Sequence, residues 1–429
     1  MPSSSASDHT VLVIGGGYAG IMAANRLRSS LTTAEAARVR ITVISPAGQF
    51  VERVRLHQVA AGTLASAARP LREMLHDDID VVAGSVTSIE PVGQQVTVAV
   101  AVADTDGTDG GRARARARVL RYDSLIYTVG STAALSTPGV AEHSHPLADP
   151  ESASRAQAAI AAGSAGQRIV VVGGGATGVE AASEIAGRHP DAAVTLLPAG
   201  QLLPAMRATA QRDIRRTLGR LGVRIQEGSR VQQVQTDVVV LTDGATVPFD
   251  VCIWAASFDV PRLADDSGLA TDSAGRLLVD ESLRSVDHPS IVGAGDAVRV
   301  PDSVGAHLRM SCASALPLGG AAAETVLAQL RGQEPKPISI GYVVQCLSLG
   351  RKNGYAQLVG ADDVPLRLAV GGALAARIKE AIVRMTVSGP LKERSKPGSY
   401  WAPRGPRRVV ASVALPASSS SSSSAGVPR

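Results

Sequence analysis

A glycine-rich segment near the start of the chain constrains its fold more than any other feature. An apolar run, Val11 to Ile14, precedes the sequence GGGYAG, and Ile21 to Leu27 has the character of a helix. A strand, a GxGxxG turn and a helix in this order are typical of a βαβ unit that binds a dinucleotide pyrophosphate at the helix N-terminus. The glycines allow a tight turn, close approach of the phosphates and helix–strand packing. The residues expected at this loop are Gly15, Gly17, Tyr18, Ala19 and Gly20.

The same pattern recurs about 160 residues later, where Arg168 to Glu184 reads RIVVVGGGATGVEAASE. One such match can be a glycine-rich turn without a ligand, but two in the same context predict two bound dinucleotides. The second strand of this unit, Ala193 to Leu197, runs into Pro198 with neither the acid nor the arginine that would separate NADH from NADPH. The residues expected at this loop are Gly173, Gly175, Thr177 and Gly178.

The acid that usually holds the ribose, about 20 residues past the glycines, is also missing from the first unit. Its second strand, Val39 to Ile44, is followed by Ser45. The ribose contact is therefore expected from Ser45 or from a backbone group.

Composition narrows the remaining function classes. Aromatic residues make up only 3% of the 429 residues and the formal charge is +5, so a nucleic-acid interface is not expected. Cys252, Cys312 and Cys346 are far apart in sequence and show no metal-binding spacing. The N-terminus lacks the apolar stretch of a signal peptide, and no run reaches the ~20 apolar residues of a membrane span. We therefore expect a cytoplasmic protein.

Alternating strands and helices predict an α/β fold. Strands are expected over Val81–Val86 and Val92–Val102, and the sequence RARARAR places Arg112, Arg114, Arg116 and Arg118 on one strand face. We interpret that face as a solvated edge, which prevents strand addition, in preference to a site for anionic lipid or nucleic acid. Two segments, SLIYTVG (124–130) and DVCIWAA (250–256), close the two units.

The C-terminal third carries two predicted helices and a small strand-bearing unit (338–370). A helix is expected within Ser311–Leu330, after a turn at Leu316–Gly319. A second helix, Ala373–Val387, places Leu374, Ile378, Ile382 and Met385 on one face, with Gly389-Pro390 as its stop. We favour docking of this face on the core, with a membrane surface as the alternative. The serine-rich end is expected to be disordered.

The order GxGxxG, YTVG, GxGxxG, WAA and GAGDA resembles the pyridine nucleotide–disulfide oxidoreductase superfamily over about residues 9 to 330. The resemblance implies FAD at the first fingerprint and NAD(P)H at the second, whose domain is inserted into the FAD domain. The disulfide reductases of that superfamily need a CxxC or CxxxxC pair, which this chain lacks. Disulfide chemistry is therefore not expected.

Three segments are most similar to type II NADH dehydrogenases and apoptosis-inducing-factor-like quinone reductases. They are HQVAAG (57–62), GGGATGVE (173–180) and LSLGRKNGYAQ (347–357). The glutamine-rich quinone motif of the type II enzymes is replaced here by SCASALPLGG (311–320). The resemblance thus implies a flavin-dependent dehydrogenase, but it does not define the electron acceptor.

The resemblance also implies roles for single residues. Glu180 would face the contact between flavin and nicotinamide, although a glutamate in the first helical turn is also favourable with the helix dipole. Arg53 and Arg55 would stabilise anionic reduced flavin, or they are surface charges. Asp296 would bind the ribityl–phosphate region of FAD, cap a helix, or do both. The other residues expected around the two cofactors are Ser45, Val86, Gly130, Ala256, Gly295 and Leu316.

The sequence therefore predicts an FAD-dependent NAD(P)H dehydrogenase with a quinone or another small electron acceptor. The alternatives are a flavoprotein reductase that feeds a protein acceptor, and a slow FAD-binding redox sensor. A homodimer and peripheral association with the inner face of the cell membrane, through the C-terminal helix, are both left open. The expected parts are an FAD domain (9–145 and 287–334), an NAD(P)H domain (146–286), a C-terminal unit (335–404) and a disordered tail (405–429).

Overall fold

The computed structural model describes residues 9–102 and 114–406. Its frame is two five-stranded parallel sheets, each with a fingerprint strand at its centre. The inner parts of the central strands, such as Val11–Ile14 and Ile169–Val172, are apolar because both faces of each sheet are covered. The first sheet has, in spatial order, Ile291–Gly293, Ser124–Tyr127, His9–Ile14, Val39–Ser45 and Asp80–Ala83. The second has His145–Pro146, Val251–Trp254, Arg168–Val172, Ala193–Leu197 and Arg224–Ile225.

The second sheet is an insertion into the first. Ser124–Tyr127 and Ile291–Gly293 are neighbours in the first sheet, with Leu125 opposite Ile291, although the whole second sheet lies between them in sequence. This topology confirms the predicted α/β class with one dinucleotide-binding unit inside the other.

The smaller sheets are antiparallel, with one exception, and flank these two. The three-stranded sheets are Ser85–Glu90, Gln95–Val102 and Arg114–Arg121; Val231–Val234, Val238–Leu241 and Thr246–Pro248; and Val344–Ser348, Gly354–Val359 and Pro365–Gly371. Gln49–Val51 pairs with Ala68–Pro70, Thr132–Ala133 with Phe258–Asp259, and Leu277–Leu278, in parallel, with Val298–Arg299.

Helices cover the sheets. The long helices are Tyr18–Ser30, Pro150–Ala161, Ala176–Arg188, Ala208–Arg220, Cys312–Leu330 and Gly372–Glu393. The short ones are Thr33–Ala36, Leu56–Ala60, Leu71–Met74, Val140–His143, Leu263–Asp266 and Asp302–Gly305, with a 3-10 turn at Arg53–Arg55. Within the described residues, no helix combines the length and the apolar character needed to cross a membrane.

The single strand predicted over 81–86 is wrong, because the chain changes sheets at Gly84. Asp80–Ala83 belongs to the first parallel sheet, whereas Ser85–Glu90 pairs with Gln95–Val102. A Cβ at Gly84 would lie 2.7 Å from Val98 Cγ1, so only glycine fits this crossing.

The arginine-rich strand lies where we expected it. Arg114–Arg121 is the last strand of its sheet, paired only with Gln95–Val102 among the described residues, and Arg116 and Arg118 are exposed. Arg112 lies outside the described residues. The interpretation as a solvated edge is confirmed for Arg116 and Arg118.

The turn predicted at Leu316–Gly319 is wrong, because these residues lie inside the helix Cys312–Leu330. Glycine is present for packing: a Cβ at Gly319 would lie 2.2 Å from the carbonyl oxygen of Ala19. Leu316 is fully buried in the core beside the first sheet. The small residues bring this helix against the first fingerprint helix.

The C-terminal helix, Gly372–Glu393, also differs from the prediction. It continues through Gly389 and Pro390, because its last turn is held by the first fingerprint helix: Asn25 Nδ2 donates to the Pro390 carbonyl at 2.9 Å. The expected core-docking face is wrong, since Leu374 and Met385 are 58% and 50% exposed. The buried face consists instead of Ala375, Lys379, Val383, Thr386 and Pro390. The predicted disordered tail lies outside the described residues from position 407 onward.

Candidate active site

One cavity of about 1020 Å³ lies where the two parallel sheets meet. Both glycine loops open into it, and the C-terminal sheet and helix close a third side. Ligands of α/β proteins bind at the carboxyl ends of parallel strands, which is where both loops lie. The cavity is therefore the candidate active site.

The two glycine loops have the same geometry. A Cβ at Gly15 would lie 2.2 Å from the Thr128 carbonyl oxygen, and one at Gly173 would lie 2.5 Å from that of Ala255. Their φ angles of +111° and +125° also favour glycine.

The second and third glycines of each fingerprint have different functions. In the part of the chain that the structure describes, nothing lies within 4 Å of a Cβ built on Gly17 or Gly175, so both positions leave open space for a ligand to approach the backbone. A Cβ on Gly20 or Gly178 would lie 1.9 Å from the carbonyl oxygen of the first glycine of its own loop. These last glycines pack helix against strand, beneath the cavity. Both loops fit a pyrophosphate at a helix N-terminus.

Most residues predicted around the first dinucleotide line this cavity. They are Gly15, Gly17, Tyr18, Ala19, Ser45, Arg53, Gly130, Gly295 and Asp296. Arg53 Nη1 donates to the Ser131 carbonyl at 2.6 Å, and Ser131 Oγ donates to Asp296 Oδ2 at 2.7 Å. Burial lowers the pKa of the Arg53 guanidinium. Arg55 does not line the cavity; it forms ion pairs with Glu52 and Glu380, at 3.1 and 2.8 Å.

The second loop brings Gly173, Gly175, Thr177, Glu180 and Ala256 to the same cavity. Besides Gly20 and Gly178, which pack beneath the cavity, two predicted residues do not line it. Val86 lies opposite Val98 in an antiparallel pair, because of the strand break at Gly84. Leu316 is inside a helix, whose N-terminal residues Ser311, Cys312 and Ala313 reach the cavity instead. Both placements correct the prediction.

A buried ion pair joins the second fingerprint helix to the C-terminal helix. Lys379 Nζ lies 3.0 Å from Glu180 Oε1, and both side chains are at most 15% exposed. The Ser348 backbone N–H also donates to Glu180 Oε1 at 2.9 Å. Burial opposes ionisation of Glu180, but Lys379 outweighs it and holds the pKa of the carboxyl below its ordinary value. The same pair raises the pKa of Lys379 despite its burial.

Sequence analysis did not single out Lys379, because this residue lies outside the apolar row from Leu374 to Met385 that was expected to dock. The helix is rotated so that Lys379 shares a face with Ala375 and Val383, four residues to either side. That spacing was a usable signal, but the row of larger apolar residues next to it was the stronger one.

His57 lies beside this ion pair, and its ring is 3% exposed. Among the described residues, its Nε2 has no hydrogen-bond partner. Burial lowers the pKa of the ring, which is therefore neutral at pH 7. Behind it, Glu184 accepts a hydrogen bond from Thr63 Oγ1 at 2.6 Å and lies 3.4 Å from Arg351. Buried polar groups thus continue from the cavity wall toward the surface.

Cys312 and Cys346, which are distant in sequence, both line the cavity. The backbone carbonyl of Cys346 accepts a hydrogen bond from Lys379 Nζ at 3.4 Å. Burial raises the pKa of both thiols, so neither is ionised at neutral pH. The expectation that disulfide chemistry is absent stays a prediction.

Similar proteins agree with this arrangement. An NADH dehydrogenase-like protein of Mycobacterium tuberculosis is 29% identical over 404 residues, which cover 89% of this chain and 94% of the relative. A type II NADH:quinone oxidoreductase of Haemophilus influenzae is 24% identical over 371 residues, covering 76% and 81% of the two chains.

Among solved structures, NDH2 of Plasmodium falciparum in complex with NADH has a TM-score of 0.72 at 14% identity, covering 92% of this chain and 99% of that one. The sulfide:quinone oxidoreductase of Aquifex aeolicus has a TM-score of 0.70 at 18% identity, covering 90% and 91%. At these identities the likeness establishes the fold. The family profile of pyridine nucleotide-disulphide oxidoreductases matches residues 9–311. The chain belongs to that family and is an oxidoreductase that uses FAD and NAD(P)H.

Proposed function

We propose that this chain is an FAD-dependent NAD(P)H dehydrogenase that passes electrons to a quinone-like acceptor. One observation carries the proposal: two dinucleotide loops of the same geometry open into a single cavity. Two dinucleotides held by these loops would share one cavity. FAD, when bound, supplies the hydride acceptor and electron carrier.

We assign the chain's residues to three tasks within this cavity. The first loop holds the FAD pyrophosphate, with Ser45 at the ribose and Asp296 at the ribityl–phosphate region. The second loop holds NAD(P)H, with Glu180 and Ala256 at the nicotinamide end. Arg53 supplies positive charge near the flavin, because its guanidinium stays inside the cavity on the Ser131 carbonyl.

The third side of the cavity supports a small apolar acceptor. Ile382, Val383 and Thr386 of the C-terminal helix line it, and Lys379 lies in the same wall. The ammonium of Lys379 and the carboxylate of Glu180 form an ion pair at this wall, and the pair biases where negative charge and protons can reside. The Haemophilus influenzae relative is named for a quinone acceptor, which agrees with this wall.

We also propose that the C-terminal helix associates with a membrane surface. Leu374 and Met385 of this helix, and Leu366 and Leu368 of the strand before it, are each 47% to 68% exposed. Arg377 and Arg384 lie on the same helix. Exposed apolar residues beside arginines favour the interface of an anionic bilayer. We propose that the C-terminal unit spans 335–404, so all residues of this surface belong to that one unit.

Anaerobic titration of the holoprotein tests the dehydrogenase. The flavin absorbance should bleach with NADH or NADPH and return when a water-soluble quinone is added. A yellow protein that neither nucleotide bleaches would refute the dehydrogenase. Recovery with a ferredoxin-type protein and not with the quinone would favour a reductase for a protein acceptor.

Vesicle flotation tests the membrane surface. The wild-type protein should float with anionic vesicles, and the double variant Leu374→Asp, Met385→Asp should not. Leu135→Asp, at another exposed leucine (45%), is the matched control and should float like the wild type. Equal flotation of all three proteins would remove this part of the proposal.

A further inference from the structure

The turn after the strand Ala193–Leu197 carries information about the nucleotide. In a dinucleotide-binding unit, an acid at this point binds the ribose 2′-hydroxyl of NAD(H), whereas an arginine nearby accommodates the 2′-phosphate of NADP(H). Here the strand runs into Pro198, Ala199 and Gly200, which offer no carboxylate. Glu227, the acid on the neighbouring segment, is engaged by Arg215 and by the Leu202 backbone N–H, each at 2.6 Å.

A second segment is fastened to this turn and brings an arginine to it. The Ser229 backbone N–H donates to the Pro198 carbonyl at 2.9 Å, and that of Gly228 donates to the Gly200 carbonyl at 3.3 Å. Ser229, Arg230 and Ala199 therefore lie together, and all three line the same cavity as the second glycine loop.

Within the described residues, neither polar side chain of this segment is held by another group of the protein. The Arg230 side chain is exposed, and no carboxylate within residues 9–102 and 114–406 forms an ion pair with it. Ser229 is 2% exposed, and its Oγ has no hydrogen-bond partner in the described part of the chain. A guanidinium and a buried hydroxyl together match a phosphate group, which accepts charge-assisted hydrogen bonds from both.

We infer that the second site prefers NADPH to NADH, with Arg230 and the Ser229 hydroxyl binding the 2′-phosphate. The inference rests on the proposed function only in taking the second loop as the nicotinamide-nucleotide site. The end of the strand alone does not decide between NADH and NADPH, and the inference assigns this selection to Arg230 and Ser229. The preference has two sources, because a 2′-phosphate meets a guanidinium and a hydroxyl here, whereas the 2′-hydroxyl of NADH meets no carboxylate on the turn.

Calorimetric titration of the holoprotein with adenosine 2′,5′-bisphosphate and with 5′-AMP tests the inference without turnover. The bisphosphate should bind more tightly to the wild type. Arg230→Ala should weaken bisphosphate binding by about ten- to a hundredfold, the range expected for a charged hydrogen bond, and leave 5′-AMP unchanged. Arg230→Lys should retain part of the difference, and Ser229→Ala should lose less than Arg230→Ala.

Arg224→Ala is the matched control, because Arg224 is an exposed arginine on the adjacent strand that does not line the cavity. It should bind both probes like the wild type. Equal affinity of the wild type for both probes, or an equal loss for both in Arg230→Ala, would overturn the inference.

Flavin reduction separates this inference from the proposed function. Bleaching by NADH at lower concentrations than NADPH would overturn the inference and leave the dehydrogenase intact. Bleaching by neither nucleotide, with the bisphosphate still preferred, would overturn the dehydrogenase and leave the phosphate site intact.

Discussion

Replacing Lys379 with methionine removes the ammonium that neutralises Glu180 at the cavity wall. The two groups are 3.0 Å apart, and Glu180 is 6% exposed, so the carboxylate of the variant stays buried without its cation. Breaking a buried pair by removing one partner typically costs about 3–5 kcal/mol. The Ser348 N–H, at 2.9 Å, still stabilises the carboxylate, which favours the lower end of that range.

The loss should depend on pH in a defined direction. In the wild type, the pKa of Glu180 lies below its ordinary value, so the carboxylate stabilises the fold above that value and the contribution is lost as pH falls. In Lys379→Met, burial acts without Lys379 and raises the folded-state pKa. The penalty is then full at neutral and alkaline pH, and it shrinks as Glu180 takes up a proton. The stability difference should be largest near pH 8 and should narrow toward pH 5.

Thermal release of the flavin, followed by fluorescence at pH 8 and pH 5, measures this difference. A loss of ~3 kcal/mol lowers the midpoint by about 6–12 °C, from the usual 2–4 °C per kcal/mol. The double variant Lys379→Met, Glu180→Gln should recover most of the loss, because neither charge remains. Arg377→Met, an exposed arginine on the same helix, should stay near the wild-type midpoint. A midpoint of Lys379→Met within 2 °C of wild type at pH 8, or a deficit that grows on acidification, would refute the reasoning.

Three further predictions follow from other contacts. Gly178→Ala should lower the melting temperature, since its Cβ would lie 1.9 Å from a carbonyl oxygen. Gly175→Ala should keep the wild-type melting temperature and weaken nucleotide binding in calorimetry. Equal melting temperatures of the two variants would contradict the packing role of Gly178. Glu393→Gln should cost about 3–5 kcal/mol in urea unfolding, because Glu393 is fully buried against Arg26. Burial opposes ionisation of Glu393, but Arg26 holds its pKa below the ordinary value, so wild-type stability should fall with pH below that value and the variant should lack this dependence. Arg53→Met should raise the dissociation constant of FAD about ten- to a hundredfold in equilibrium dialysis, and unchanged retention would exclude a flavin contact.

Much of the fold could be predicted because its signals are local. The two fingerprints act through backbone conformation and the absence of a Cβ within a few residues, and in the structure both Gly15 and Gly173 have a positive φ. The apolar strands that precede each loop identified both sheets, since strands buried on two faces must be apolar throughout. The resemblance to the oxidoreductase superfamily then implied that one unit is inserted into the other.

The errors lie where a contact with a distant segment decides the local structure. Gly319 and Gly389 read as turn residues, yet both lie within helices that need a small residue, against Ala19 and Tyr400 respectively. Val86 was expected at the cofactor as part of a single strand over 81–86. The valines on both sides of Gly84 gave no sign that the chain changes sheets there. The sequence alone does not distinguish a glycine that a turn needs from one that close packing between elements needs.

By itself, the sequence determined the two dinucleotide loops and their order, because each loop depends on the conformation of a short stretch of backbone. The identity of the two cofactors followed from the resemblance to a known family. Only the tertiary structure decided which side chains share the cavity. Glu180 and Lys379 are 3.0 Å apart across two helices, and Arg230 reaches the turn at Ala199 through hydrogen bonds of its neighbours. A side chain's burial, charge state and ligand contacts are set by the surfaces packed around it, and those surfaces come from segments far away in the chain.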